Sequence, residues 1–334
     1  MHCSADGGEF SAEDEAGAAT IISRLRAPDF CREIRVPHPD LDEMGTAGSW
    51  CVEFSPDGHR LLAGDTLGVF FFDATNGAPA GHQPADYCWS LSFPDATSFC
   101  TGTRRGVFRW PLAGPGMAEG ARIHEGDSNM NAASGDLLAI AARKELLLFQ
   151  GGQPAGRFAA PLWLDRVALH PDGAWVASGY RDEPGISLWN LRAPAEPPRV
   201  LATTGLAASP CWTRDGRLLL VGDEEAVRAL AADGFAEQWR IARRQREKGA
   251  ALLAVALSAD LAAAVIEGGV ITLFRPSNGR VLTRLAHPQR RDIRHLALSP
   301  DGTRVAAMTL GHVVQLWDLN ALRRELSAES LDWR

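Results

Sequence analysis

Residues 296–320, LALSPDGTRVAAMTLGHVVQLWDLN, read as three short strands joined by two tight turns. The first apolar run ends at Ser-Pro-Asp-Gly, where the aspartate caps the turn backbone and glycine accepts positive φ. A second run, RVAAM, breaks near Gly311-His312, and a third, VVQLWD, follows. Versions of this phrase recur along most of the chain. The turn aspartates give the register: Asp57, Asp95, Asp136, Asp172, Asp215, Asp260 and Asp301, at spacings of 38, 41, 36, 43, 45 and 41 residues. Seven units of about forty residues, built of short apolar strands bounded by Gly, Pro, Asp and Asn, predict an all-β, seven-bladed β-propeller.

A fourth, more variable strand is visible in RVLATT and RVLTRLA, so each unit is a four-stranded blade too small to bury both faces alone. The final unit lacks this strand, because the chain turns after Trp317-Asp318 into LNALRRELSAESLDWR. Residues 31–37, CREIRVP, alternate as a strand should and precede the first unit. They are expected to supply the missing outer strand, closing the ring and removing an exposed edge. In the tail, Leu319, Leu322 and Leu326 share one helical face, which predicts a short C-terminal helix with Leu331 and Trp333 docking after it. The organisation expected is an acidic, flexible extension over 1–28, the propeller over 29–318, and an amphipathic helix and anchor over 319–334.

The SPDG turns, the LWD and LWN strand endings and the forty-residue period resemble bacterial WD-repeat proteins across about residues 30–318. The Gly-His pair that usually opens such a repeat survives only as Gly81-His82, with His124 and His287 near the expected distance. The buried His, Ser, Asp and Trp network of the family is therefore expected in few blades, if any. Trp110, Trp189 and Trp317 hold the aromatic position of the third strand, and Phe72, Phe149 and Phe274 replace Trp elsewhere. The ending ALRRELSAESLDW is similar to the segment that follows propellers attached to bacterial serine/threonine protein kinases. That similarity implies signalling company and supplies no phosphotransfer activity, since the chain has no Gly-rich loop, H-R-D or D-F-G motif.

Composition bounds the function. At 46% apolar residues, with 33 Gly and 20 Pro, the 334-residue chain has material for a core and many turns. A net charge of −7 argues against bulk nucleic-acid binding or acidic membranes, and no segment reads as a secretory signal or a membrane span. The cysteines Cys3, Cys31, Cys51, Cys88, Cys100 and Cys211 show no C-x-x-C spacing and read as reduced thiols. Lysine occurs only at 144 and 248, against 32 arginines among 34 basic residues, a bias associated with GC-rich bacterial coding. The expected setting is a bacterial cytoplasm, and the expected state a monomer.

No motif for chemistry emerges. The nine histidines are scattered without H-E-x-x-H or an equivalent spacing, and there is no G-x-S-x-G elbow or P-loop. The turn aspartates read as turn residues and the once-per-blade aromatics as core. Trp50, Trp89 and Trp212 are placed on first strands and are open to either core or channel roles. The reading is a noncatalytic protein-interaction platform without cofactor or metal. The alternatives are a lactonase- or hydrolase-like propeller enzyme, which needs three oxygen or nitrogen ligands converging on a metal in the central channel, and a small-ligand sensor.

Arginine supplies the one uneven feature. WRIARRQREK, residues 239–248, and RRDIR, residues 290–294, fall in successive connections between blades. Arg243, Arg244, Arg246, Arg290, Arg291 and Arg294 are therefore the candidate contacts for an acidic or phosphorylated protein partner. Arg104, Arg105, Arg143 and Lys144 are expected on the same face, with Asp182, Glu183, Glu224 and Glu225 opposing them.

Overall fold

The structure, a computed structural model, describes residues 2–3, 9–12, 21–24, 30–37, 50–112, 119–126, 130–243, 252–256, 260–289 and 291–328, the first three segments as backbone only. It is a seven-bladed β-propeller. Six blades are simple antiparallel meanders of four consecutive strands, the first running from Cys51–Phe54 to Pro79–Pro84 and the sixth from Leu252–Val255 to Val281–Ala286. The seventh combines Ile293–Leu298, Arg304–Thr309 and Val313–Asp318 with Cys31–Arg35 from the other end of the chain. In that closure Val313 faces Arg35, Gln315 faces Glu33 and Trp317 faces Cys31. Two flanking backbone bonds extend the ladder, Val36 N–H to His312 O at 2.8 Å and Asp318 N–H to Phe30 O at 2.7 Å. His2–Cys3, Glu9–Ala12 and Ile21–Arg24 pair as a separate three-stranded sheet.

Packing follows from strand periodicity. In Arg60–Asp65, Leu61 and Ala63 face the seventh blade, whereas Leu62 between them faces the second. A strand covered on both sides must be apolar at consecutive positions, which explains runs such as LLAG and AAAVI. The core is accordingly divided into seven hydrophobic clusters, one at each junction between neighbouring blades, the junction of the seventh with the first included. The third-strand aromatics lie in these junctions, with Trp110, Trp189, Trp317, Phe72, Phe149 and Phe274 all buried.

Of the buried network expected from the resemblance, the described residues show one bond: the Trp110 indole N–H donates to Thr101 Oγ1 at 2.9 Å. Trp189 and Trp317 find no acceptor for theirs among the described residues. At the place of Thr101, two residues beyond the cross-strand partner, the last blade has Ala307, which offers no oxygen, and the fourth has Ser178, whose hydroxyl turns to the Gly179 carbonyl. The turn aspartates act as turn residues: Asp57, Asp95, Asp172, Asp215 and Asp301 each accept a backbone N–H two residues ahead. Asp260 departs from this, accepting from the Ser277 N–H and hydroxyl in the turn between the third and fourth strands of its blade.

Leu319–Ala328 is the C-terminal helix, capped by Asp318, whose Oδ1 accepts the Ala321 N–H at 2.8 Å. Leu319, Leu322 and Leu326 are buried in the cluster between the sixth and seventh blades, with Trp317, Leu298, Val305 and Phe30. Leu331 and Trp333 lie outside the described residues. Among the described residues no helix is long and apolar enough to cross a membrane.

Candidate functional site

An antiparallel meander fixes which loops share a face. Turns between second and third strands and connections from one blade to the next lie at one end of the ring, and the SPDG turns lie at the other. The first of these ends carries an uneven chemistry. Six large hydrophobic side chains are exposed among the described residues, and five of them, Trp50, Leu67, Trp163, Leu206 and Leu310, sit in its loops.

These loops are tied down from beneath. His312, held at φ 60° in the last second-to-third strand turn, places Nδ1 2.9 Å from Asp65 Oδ2, with both groups buried. Asp65 also accepts from the Thr66 hydroxyl at 2.9 Å and the Leu67 N–H at 3.3 Å. The turns carrying Leu67 and Leu310 are thereby linked across the junction where the ring closes. Trp163 is fixed by its backbone: its carbonyl accepts the Arg181 N–H at 2.8 Å, and the next N–H, of Leu164, donates to Arg143 O at 2.6 Å. The guanidinium groups of Arg143 and Arg181 lie 5.7 and 5.4 Å from the Trp163 ring, and that of Arg104 lies 4.2 Å from the Tyr87 ring.

The arginines predicted from sequence are placed differently from one another. Arg243 turns inward, donating from Nε to Ile266 O at 2.9 Å and from Nη1 to Asp223 O at 3.1 Å, so it joins the fifth and sixth blades. Arg291 donates to Gln289 Oε1 and lies 3.7 Å from Glu33. Arg294 is exposed, within the first strand of the last blade. Arg244, Arg246 and Arg290 lie outside the described residues. Arg104, Arg105, Arg143 and Lys144 occupy exposed turns on the loop face, as expected, and Asp182, Glu183, Glu224 and Glu225 share it. The sequence reading missed the loop-face role of Trp163, Leu206 and Leu310. Trp163, immediately before a strand, and Leu206 both stand in blade-to-blade connections, which was the available signal. Trp50 and Trp89 likewise precede their first strands instead of lying on them, and Trp212 is buried against His170 and Phe235.

The axial channel is the second candidate. A cavity of about 510 Å³ reaches from mid-channel to the SPDG end, with Pro56, Ala96 and Pro300 at its mouth and side chains from all seven blades along it. Its ionisable groups are Glu53, Arg166, His295 and Asp95. Burial pushes the Glu53 carboxyl up to about 8, against a lesser opposing bond from the Phe54 N–H. Burial, then the positive charge of Arg166, pushes His295 down to about 3. Its Nδ1 accepts the Val52 N–H at 3.5 Å, so the neutral ring carries its hydrogen on Nε2. Asp95, held down to about 2 by hydroxyl and backbone donors and by Arg109 despite partial burial, is a paired anion. Asn131 joins the second and third blades beside the cavity, donating to Ser90 Oγ at 2.7 Å and accepting from Ser92 Oγ. Among the described residues no three His, Cys, Asp or Glu side chains converge as a metal site.

No protein-family model matches the chain, and no characterised protein matches it in sequence. The class is thus defined by the fold alone, a seven-bladed β-propeller.

Proposed function

We propose that this propeller is a noncatalytic protein-interaction platform of the WD-repeat kind, working in a bacterial cytoplasm beside a serine/threonine kinase system. The observation that carries the reading is the gathering of Trp50, Leu67, Trp163, Leu206 and Leu310 on one face. Isolated exposed hydrophobics are ordinary, but aromatic and apolar anchors bordered by arginine are what protein interfaces concentrate at their energetic centres. Hydrogen bonds that fix the Trp163 connection lower the ordering cost of binding there. The arginines around Trp163 favour an acidic or phosphorylated partner. The kinase link is supported by the similarity of residues 321–333 to the tails of kinase-attached propellers.

Affinity capture from the native cells tests this. A variant with Trp50, Trp163 and Leu310 changed to Ser should lose the partners that the unaltered chain retains, with little change in melting temperature. Charge reversal of Arg291 and Arg294 with Arg244, Arg246 and Arg290 separates the two loop regions. Identical partners from the Ser variant and the unaltered chain would refute the loop-face reading.

A further inference from the structure

We propose that the axial channel is a binding site for a small monocarboxylate with an apolar body, whose carboxylate is held by Arg166. This goes beyond the partner face, since the cavity opens at the other end of the ring.

The geometry begins in the first strand of the fourth blade. Pairing of Leu164–Leu169 with its neighbour slips between Leu164 and Val167, so Asp165 and Arg166 form a bulge. A bulge re-aims side chains out of the regular alternation, and here Arg166 lines the cavity. A second slip, between Ile293 and His295, stands in the first strand of the seventh blade, where His295 also lines the cavity. Three of the seven innermost strands depart from regular pairing, and in two of them the slip falls at the residues that bring a cation and an imidazole to the lumen. Arg166 has no ion-pair or hydrogen-bond partner among the described residues, unlike Arg109, which is paired to Asp95. A planar guanidinium lining the same cavity as an imidazole Nε2–H donor, near enough for its charge to depress that imidazole, offers donors for the two oxygens of one carboxylate.

The remaining lining sets the rest of the ligand. Leu91, Phe93, Met130, Leu253, Val255 and Leu298 provide apolar wall, and about 510 Å³ falls within the range of small-molecule sites. Charge limits the ligand to a single negative group. With Asp95 and Arg109 cancelling, and with Glu53 and His295 neutral at pH 7, the cavity holds one net positive charge. The thiols near Glu53 are neutral as well: burial raises Cys51 well above its ordinary value and Cys211 to about 12. Glu53 is the group that changes between pH 7 and 9. As it ionises it cancels the charge of Arg166, so carboxylate affinity should fall across that range.

The test uses the full chain with 3-phenylpropionate and hexanoate as probes and their primary amides as controls, followed by calorimetry and thermal shift. Saturable binding of a carboxylate, at least tenfold tighter than its amide, is the expected result. Arg166→Gln should abolish the difference, and Arg166→Lys should retain part of it. Exposed Arg192→Gln, on the outside of the fourth blade, should leave it unchanged. If Arg166→Gln fails to fold, the unaltered chain and Glu53→Gln decide. The first should bind severalfold more weakly at pH 9 than at pH 7, and the second equally at both. Absence of saturable binding by either acid, equal binding of acid and amide, or undiminished binding in Arg166→Gln would each overturn the proposal.

Discussion

The C-terminal helix should be part of the folded unit, and Leu322 measures how strongly. Its side chain is 1% exposed, in a cluster with Leu319, Leu326, Trp317, Val305 and Phe30, and the Phe30 and Trp317 rings stack with centroids 6.2 Å apart. Leu322→Ala removes buried atoms from a site whose walls are sheet and ring, which cannot collapse fully, so the cost should be about 2–5 kcal/mol. Unfolding entropy of about 2.1 cal/mol/K per residue over 334 residues is roughly 0.7 kcal/mol/K. The melting temperature should therefore drop by about 3–7 °C for unfolding as one unit. Glu325→Ala, on the exposed side of the same helix, should stay within about 0.5 kcal/mol of the unaltered chain. Calorimetric melts of both variants decide the matter. A Leu322→Ala melt within a degree of the unaltered protein would mean that the helix does not contribute to propeller stability, and the burial argument would fail. Leu322→Asp with Leu326→Asp should be more damaging, because it buries charge at the same place.

Three other outcomes should hold. Deleting residues 1–37 removes the closing strand with its buried Phe30, Ile34 and Val36, and should yield an aggregating or strongly destabilised ring that a peptide of residues 28–38 restores. A stable, soluble truncation would show that closure does not depend on this strand. Thr101→Val leaves the Trp110 indole N–H buried without its acceptor and should cost about 1–3 kcal/mol in a urea melt, whereas the same change at exposed Thr75 should cost far less. The channel groups shape the pH dependence. With Glu53 raised from 4.5 to about 8, the folded state keeps a proton that the unfolded chain has lost, so stability falls as pH rises through that window, by at most roughly 1.4 kcal/mol per pH unit. With His295 lowered from 6.5 to about 3, stability falls as pH drops through its window. Melting temperature against pH should show both limbs, and Glu53→Gln should flatten the alkaline one while His295→Gln flattens the acid one.

Local sequence determined the blades. Short continuous apolar runs and SPDG turns act over a few residues, so the seven units, the third-strand aromatics and the helical spacing of Leu319, Leu322 and Leu326 were all legible along the chain. Closure was legible too, because counting strands left the last unit one short and CREIRVP one over. Tertiary structure decided everything that depends on which loops meet. Arg243, to the sequence one of a basic run, spans two blades through backbone carbonyls. Trp163 gains its arginine neighbours from two different turns, Arg143 and Arg181. His312 reaches Asp65 across 247 residues of chain. The channel chemistry was the least legible, since Glu53, Arg166 and His295 come from three blades and two of them are re-aimed by bulges that leave no mark in residue periodicity. The apolar run and flanking turn residues that mark a strand are local features of the sequence. The convergence of three charged or polar side chains on one axis is set by ring closure, which no local stretch of sequence encodes.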